Sequence, residues 1–578
     1  MSNFNLDVLR KMMRDSLTLL LLFINFLGFG QNPILIPSTL NGTNIDLTLM
    51  NGTYQFYNGI NTTTMGVNGD ILGPTIILNK GEVVNFSVNN QIGETTTIHW
   101  HGMHVAPEND GGPHTTIAPN TIWQPSFTVL DRAGTYWYHP HLHEKTNEHV
   151  SKGIAGVIIV KDTEEAALIL PRTYGVDDFP LVVQTKDFDA NNEIVVPSNS
   201  DDVIMVNATI DASLIVPAQV VRFRLLNGSS MRVFNIGLSG NQTFYQIASD
   251  GGLLSSSNAI TRLQLSPGER AEILVEFSGM QGQTVFLKSY ASELPNGIYG
   301  STNPGIGPGL TLSGYNPNLL NGTDFNIMQF EMVAPTANAI TSIPVSLTTL
   351  TPISETSSNL TRSFIMTPVS MGPNQLNGDF VINGDPFNLN VINYEIPLGN
   401  TEIWSITNQS AIAHPFHIHD VQFFVLDRNG NLPPLSERGL KDVILVKPME
   451  TVRFITKFED FSSVTVPYMY HCHMLFHEDR GMMGQFLVID GTAGVNDFNL
   501  NNGISVYPNP TKGVFYINTI DGLIVERIEI FDVLGRILKS LDNISNKEPT
   551  ELGNLSQGVH FIKISSNQGV LIKKIIIK

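Results

Sequence analysis

Thirteen of the 15 histidines stand in four short knots: "HWHGMH" (99–104), "YHPHLHEKTNEH" (138–149), "HPFHIHD" (414–420) and "HCHMLFH" (471–477). None lies between His149 and His414, and only His114 and His560 fall outside the knots. Each knot holds a His-x-His pair. In an extended strand residues i and i+2 point to one face, so each pair presents two imidazoles side by side. A single histidine on an apolar face is ordinarily a hydrogen-bonded core residue, but four such pairs are what metal chelation needs. The fold must therefore supply strands that end in metal-facing edges.

The rest of the chain agrees. "TIILNKGEVVNFSVNN", "VVRFRLLNG", "RAEILVEF" and "TVRFITKF" are short β-branched and aromatic runs broken by Gly, Pro and Asn, with no long helical period. The expectation is an all-β chain of antiparallel sandwiches or barrels. A charged turn, "KDTEEAALILPR" (161–172), closes a first domain, and a Pro-, Ser- and Thr-rich span (334–361) reads as a linker after a second. A third ends near "FLVIDGTAG", and "VNDFNLNNG" leads into a small β-rich tail. "GPTIILNKGEVVNFSVNN" before "TIHWHG" parallels "NYEIPLGNTEIWSITNQS" before "AHPFHIHD", which makes the first and third domains related folds.

A formal charge of −19 argues against a nucleic-acid surface, which needs clustered Lys and Arg. Arg10, Lys11 and Arg14 precede an apolar run from Leu17 to Phe29, and Gly28 and Gly30 supply the small residues of a cleavage site. Residues 1–30 read as an export signal, too short in its apolar run for a stable membrane span in the mature chain. Export leads to oxidising surroundings, where the sole cysteine, Cys472, is either buried and inert or ligated.

Two imidazoles, a thiolate and a thioether form the blue-copper electron-transfer set, and His414, Cys472, His477 and Met482 provide it. If 470–474 is extended, Cys472 points to one face and His471 and His473 to the other, so one short peptide bridges two metal sites.

The quartet "HWHG", "HPH", "HPFHIH" and "HCHMLFHEDRGMM" closely resembles that of the multicopper oxidases, which include laccases, bilirubin oxidase and the bacterial cuprous oxidase. "DGGP" (110–113), "HPHLHEKT" and "HEDRGMM" bring it nearest the cuprous-oxidase branch. The resemblance implies three cupredoxin-like Greek-key domains (31–163, 164–333 and 362–492) joined by the 334–361 linker, and four coppers per chain. By motif, His414, Cys472, His477 and Met482 would hold type 1 copper, and His99 and His417 type 2. His101, His139 and His473 would hold one type 3 copper, and His141, His419 and His471 the other. Asp110 and Glu478 resemble the family's acidic residues beside the oxygen cluster, where a carboxylate relays protons. Substrates such as phenols, aromatic amines or metal ions would be oxidised one electron at a time, and O2 reduced to water. Two alternatives are a Cu(I)-oxidising detoxification enzyme and a non-catalytic scaffold or copper store. The chain has neither the Met-rich insertion of the cuprous-oxidase branch nor an acidic or Met pair in "NQSAIAHPF", and Asp420 stands where many relatives place glycine or an apolar residue.

After a linker at 493–503, the tail (504–578) resembles the C-terminal sorting domain of the type IX secretion route, through "ISVYPNPTKGVFYI", "IEIFDVLGRIL" and a basic terminal strand. The small β-sandwich it implies makes that machinery a partner and the protein secreted or held at the cell surface, exported through the periplasm.

Overall fold

The computed structural model describes residues 31–490 and 504–578, apart from residue 317 and short stretches at 520–522, 534, 543–548, 554 and 567–568. The export signal at 1–30 and the linker at 493–503 lie outside the described residues. Two compact units, Met1–Val488 and Ile489–Lys578, divide the chain.

The larger unit is built of paired sheets. Val83–Gln91 shows how sequence sets a half-buried strand: Val84, Phe86, Val88 and Asn90 turn inward while their neighbours face outward. It lies in the sheet Ile60–Val67, Asn44–Tyr57, Val83–Gln91, Ile122–Trp123. The facing sheet runs Thr39–Asn41, Thr75–Asn79, Gly156–Lys161, Gly134–His139, His99–His101. Trp100, Tyr136, Tyr138 and Phe86 belong to the core these sheets enclose.

The strands between residues 360 and 489 repeat the plan. One sheet runs Tyr394–Pro397, Met483–Ile489, Tyr468–Cys472, His414–Ile418, Val443–Val446, and the other is centred on Thr401–Asn408. Their core gathers Trp404, Phe416, Phe454 and Tyr470. In both repeats a tyrosine lies flat over a glycine of the adjoining strand: Tyr138 pairs across from Gly156, and Tyr470 from Gly484. A Cβ on either glycine would collide with the phenol ring.

Between them, a seven-stranded sheet containing Val220–Asn227 and Arg270–Glu276 packs on a six-stranded one. Asn32–Pro33 joins the latter in parallel with Ala212–Pro217, so the chain touches this sheet before building its first sandwich. The Pro-, Ser- and Thr-rich span is a strap rather than a free tether. Its Ile340 carbonyl accepts from the Val220 N–H, its Thr336 donates to Gln219, and Leu347 is buried.

The smaller unit has a three-stranded sheet and a four-stranded sheet ordered Ile537–Asp542, Val525–Phe531, Gly558–Ser566, Gly569–Ile577, around a core that includes Phe515, Ile528, Ile562 and Ile575. The chain is all-β, as its sequence leads one to expect; among the described residues its α-helices are short, such as the seven-residue Thr146–Lys152 and the five-residue Leu475–Asp479.

Candidate metal centre

Strand pairing brings the histidines together. His139 stands opposite His99 where Gly134–His139 meets His99–His101, and His471 stands opposite His417 where Tyr468–Cys472 meets His414–Ile418. Gly134–His139 is buried along its whole length because it has protein on both faces. The two repeats then face each other: the His99 and His419 rings stack at 3.9 Å, as do those of His101 and His417. Eight histidines, at 99, 101, 139, 141, 417, 419, 471 and 473, form one buried cluster.

Oxygen partners fix the tautomers of most of these rings. Nδ1 donates from His99 to the Asp110 carbonyl (2.9 Å), from His139 to the Pro140 carbonyl (2.7 Å) and from His417 to the Asp442 carbonyl (2.8 Å). His419 Nδ1 donates to Asp110 Oδ2 (2.8 Å) and His471 Nδ1 to the Cys472 carbonyl (3.1 Å). His101 donates instead through Nε2, to Asp442 Oδ1 (3.1 Å), and His141 Nδ1 faces Glu478 Oε1 at 3.3 Å. The remaining nitrogen of each ring therefore carries a lone pair, and these lone pairs converge. His101 Nδ1 lies 3.3 Å from His139 Nε2 and 3.2 Å from His473 Nε2, and His141 Nε2 lies 3.1 Å from His471 Nε2. Buried Nε2 atoms of His99, His417 and His419 have no hydrogen-bond partner. Lone pairs facing one another in a dry site need a cation between them, and the outward N–H bonds are the supporting contacts that metal-bound imidazoles use.

A second group lies on the other side of the same strand. Cys472 Sγ is 3.5 Å from His414 Nδ1 and 3.7 Å from His477 Nδ1, all three buried. Met482 is buried in the same apolar cluster; the Cys472 N–H donates to its carbonyl (3.0 Å) and its own N–H to that of His477 (2.9 Å). Cys472 thus faces this group while its chain neighbours His471 and His473 face the histidine cluster.

Burial favours the neutral form of His141, His414, His417, His419, His473 and His477, the form a metal requires. It pushes His414, His417 and His419 well below the usual histidine range and His141, His473 and His477 down to about 3. The same burial pushes the Cys472 thiol far up, so its thiolate needs a cation to form. Burial would also raise the Glu478 carboxyl, but the facing His141 and His471 overcome it and hold it below the usual carboxylate range.

Asp110 and Glu478 lie against different rings of the cluster, Asp110 against His99 and His419, Glu478 against His141 and His471. Asp420 has a physical explanation here. Its φ of +73° is a left-handed conformation that aspartate tolerates, and its carbonyl accepts from His104 Nδ1. His104 Nε2 pairs with Asp460 and its backbone N–H with Asp131, which latches the first repeat to the third. His149 is buried, with Nδ1 3.0 Å from Thr96 Oγ1, and His114 Nε2 donates to Gln485 (2.7 Å).

Sequence reasoning missed Asp442, which holds both His101 and His417, and two residues at the cysteine site. Ser410 Oγ lies 2.9 Å from His414 Nε2, and the Phe380 ring packs on both His414 and His477 at 4.7 Å. An acid directly before the apolar strand Val443–Val446 is the one sequence signal that could have marked Asp442; nothing in the sequence marks Ser410 or Phe380.

Comparison with known proteins gives the same picture. Two multicopper oxidase family models match residues 48–165 and 355–492, and a secretion system C-terminal sorting domain model matches 505–578. The multicopper oxidase mco of Staphylococcus haemolyticus is 32% identical over 478 residues, covering 79% of this chain and 93% of that protein. Among solved structures, a laccase-like multicopper oxidase CueO from a lignin-degrading Ochrobactrum, described as active towards lignin model compounds and lignosulfonate, is 33% identical with a TM-score of 0.69, covering 79% of this chain and all (100%) of that one. A multicopper oxidase from Campylobacter jejuni, described as a metallo-oxidase, is 26% identical with a TM-score of 0.66, covering 80% and 96%.

Proposed function

The chain belongs to the multicopper oxidases, cupredoxin-like oxidoreductases that use O2 as acceptor, and we propose that it is a laccase-like member oxidising small organic reductants. The family implies copper. Four ions per chain fit the donors: His414, Cys472, His477 and Met482 for type 1; His99 and His417 for type 2; His101, His139 and His473, and His141, His419 and His471, for the type 3 pair. Bound copper would supply one-electron oxidation at the cysteine site and four-electron reduction of O2 to water at the histidine cluster.

The protein's own part is positioning. Six rings are held by hydrogen bonds to oxygen with their lone pairs inward, and this single observation carries the reading. Cys472 links the two groups through its adjoining peptides, the shortest covalent route an electron could take. Asp110 and Glu478 sit where protons must reach reduced oxygen, each touching imidazoles of the cluster. Phe380, itself buried, packs on His414 and His477 and encloses the cysteine site, and the leaning towards organic reductants rests on the likeness to the Ochrobactrum laccase-like oxidase and on the lack of a Met-rich insertion in the sequence.

Purified, copper-loaded protein should consume O2 with phenols and aromatic amines, about four electrons per O2, without releasing peroxide. Turnover with Cu(I) or Mn(II) alone would favour a second reading, metal oxidation, supported by the likeness to the Campylobacter metallo-oxidase. The sorting-domain match of the tail supports export and delivery to the cell surface or medium by the type IX machinery. A chain ending at Asp490 should keep its oxidase activity and lose that delivery.

A further inference from the structure

The sheets between the two repeats contain no histidine, yet one of their turns reaches the cluster. Arg270 begins the strand Arg270–Glu276 and is buried with all its N–H groups engaged. Nη1 and Nη2 donate to Asp442 Oδ1 (2.6 Å) and Oδ2 (2.5 Å), Nη1 also to the Gly268 carbonyl (3.1 Å), Nη2 to the Asp250 carbonyl (3.1 Å) and Nε to the Thr135 carbonyl (3.2 Å). Such a fork holds a carboxylate in one plane. That carboxylate belongs to Asp442, whose Oδ1 accepts from His101 and whose carbonyl accepts from His417.

Two glycines accommodate this arrangement. Gly268, with φ +83°, lies against the His473 ring: a Cβ there would stand 3.0 Å from three ring atoms. Gly102, directly after His101 and also at φ +83°, leaves room for the pair, since a Cβ would collide with Asp442 Oδ2 and Arg270 Nη2. Behind the turn, Lys441 bridges Asp250 (2.9 Å) and Glu269 (2.8 Å); Arg270 Nη1 lies 3.7 Å from Asp250 Oδ1, farther than its 2.6 Å bond to Asp442 Oδ1.

We propose that the turn at 266–270 is a positioning element of the oxygen-reducing centre, Arg270 orienting His101 and His417 through Asp442 and Gly268 setting the plane of His473. It rests on the copper reading above. Residues of both the type 2 and type 3 sets are held from this side, whereas His141 and His471 are held by Glu478 from the other. The turn touches none of the groups around Cys472 among the contacts above, so its disturbance should be confined to the cluster.

The test compares Arg270→Lys, which keeps the charge and loses the fork, with Gly268→Ala. Copper per chain, the type 2 paramagnetic signal, the blue absorption and apo-protein melting are measured for each. Outer contacts of this kind are worth about 10–100-fold in metal affinity, so both variants should stay blue while losing cluster copper to a chelator about 10–100-fold more readily, with an altered type 2 signal. Arg232→Met, which breaks the buried Arg232–Asp201 pair in the loops joining these strands, should melt earlier with an unchanged type 2 signal. If Arg270→Lys does not fold, Gly268→Ala decides. Folded variants with wild-type cluster retention and signal would overturn the proposal, as would an equal loss in Arg232→Met. A wild type that binds no cluster copper would instead overturn the copper reading itself.

Discussion

The first and third repeats are built alike and differ in what they hold. Both turn a strand pair into a histidine edge, His99 opposite His139 and His417 opposite His471. Both follow the second histidine of that edge with a left-handed residue, Gly102 after His101 and Asp420 after His419. But "HCH" at 471–473 corresponds to "HPH" at 139–141, and where the third repeat has His414, Cys472 and His477 the first has Thr96, Pro140 and Lys145. Proline offers no ligand at the central position. In the first repeat a hydrogen bond between Thr96 and the buried His149, with Glu94 and Lys145 beside it, occupies the corresponding region. The cluster histidines are thus shared between two copies of one fold, while a cysteine–histidine group exists in only one.

Breaking that difference at its centre should have the largest effect. Cys472→Ser makes the third repeat resemble the first in lacking a thiolate, and hydroxyl is a poor soft-metal ligand. Blue absorption should vanish and turnover fall to background, while the histidine cluster still binds copper by metal analysis. A blue variant would remove Cys472 from the site.

The next effect lies in the two carboxylates against the cluster. Glu478→Gln and Asp110→Asn keep shape but cannot exchange a proton, and general acid–base help is typically worth about 10²–10⁴-fold. Rapid-mixing experiments should show slowed reoxidation by O2 with unchanged reduction of the blue site by substrate. Unimpaired reoxidation in both variants would exclude these residues from proton delivery.

The latch between the repeats should give a smaller, pH-dependent effect. Burial disfavours charge on His104, but Asp420, Asp131 and Asp460 outweigh it and lift it from 6.5 to about 9. A group raised on folding stabilises fully below its unfolded value and loses that contribution as pH rises through the folded one. Thermal melts of the wild type should therefore fall between pH 6.5 and 9 by more than those of His104→Gln, with at most about 3 kcal/mol at stake. Parallel pH profiles would show that the latch carries no charge.

Smallest is the Thr96–His149 hydrogen bond in the first repeat. Thr96→Val strands the His149 Nδ1 and should cost about 1–3 kcal/mol in melting without changing copper content. Any loss of copper would mean that this position still serves the cluster.

Much of this is legible in the chain. The period of two in a strand turns each His-x-His pair into a shared face, and the opposite facing of Cys472 and its neighbours follows from the same rule. Contacts made by approach of distant segments are not legible. Arg270 in "PGERAEILVEF" reads as an ordinary strand-opening residue, and only the fold shows it 172 positions from its partner Asp442. The 334–361 span reads as a tether because composition cannot reveal backbone hydrogen bonds such as Val220 to Ile340. Asp420 is likewise unreadable until its φ and its bond to His104 are known.

The central claim is that one repeat carries an electron-entry site and both together carry the oxygen-reducing cluster. Metal analysis of the purified wild type, combined with its paramagnetic and visible spectra, tests it most directly. The expected result is close to four coppers per chain: one blue and paramagnetic, one paramagnetic without colour, and two coupled and silent. One copper per chain, or a colourless protein fully loaded with copper, would contradict it.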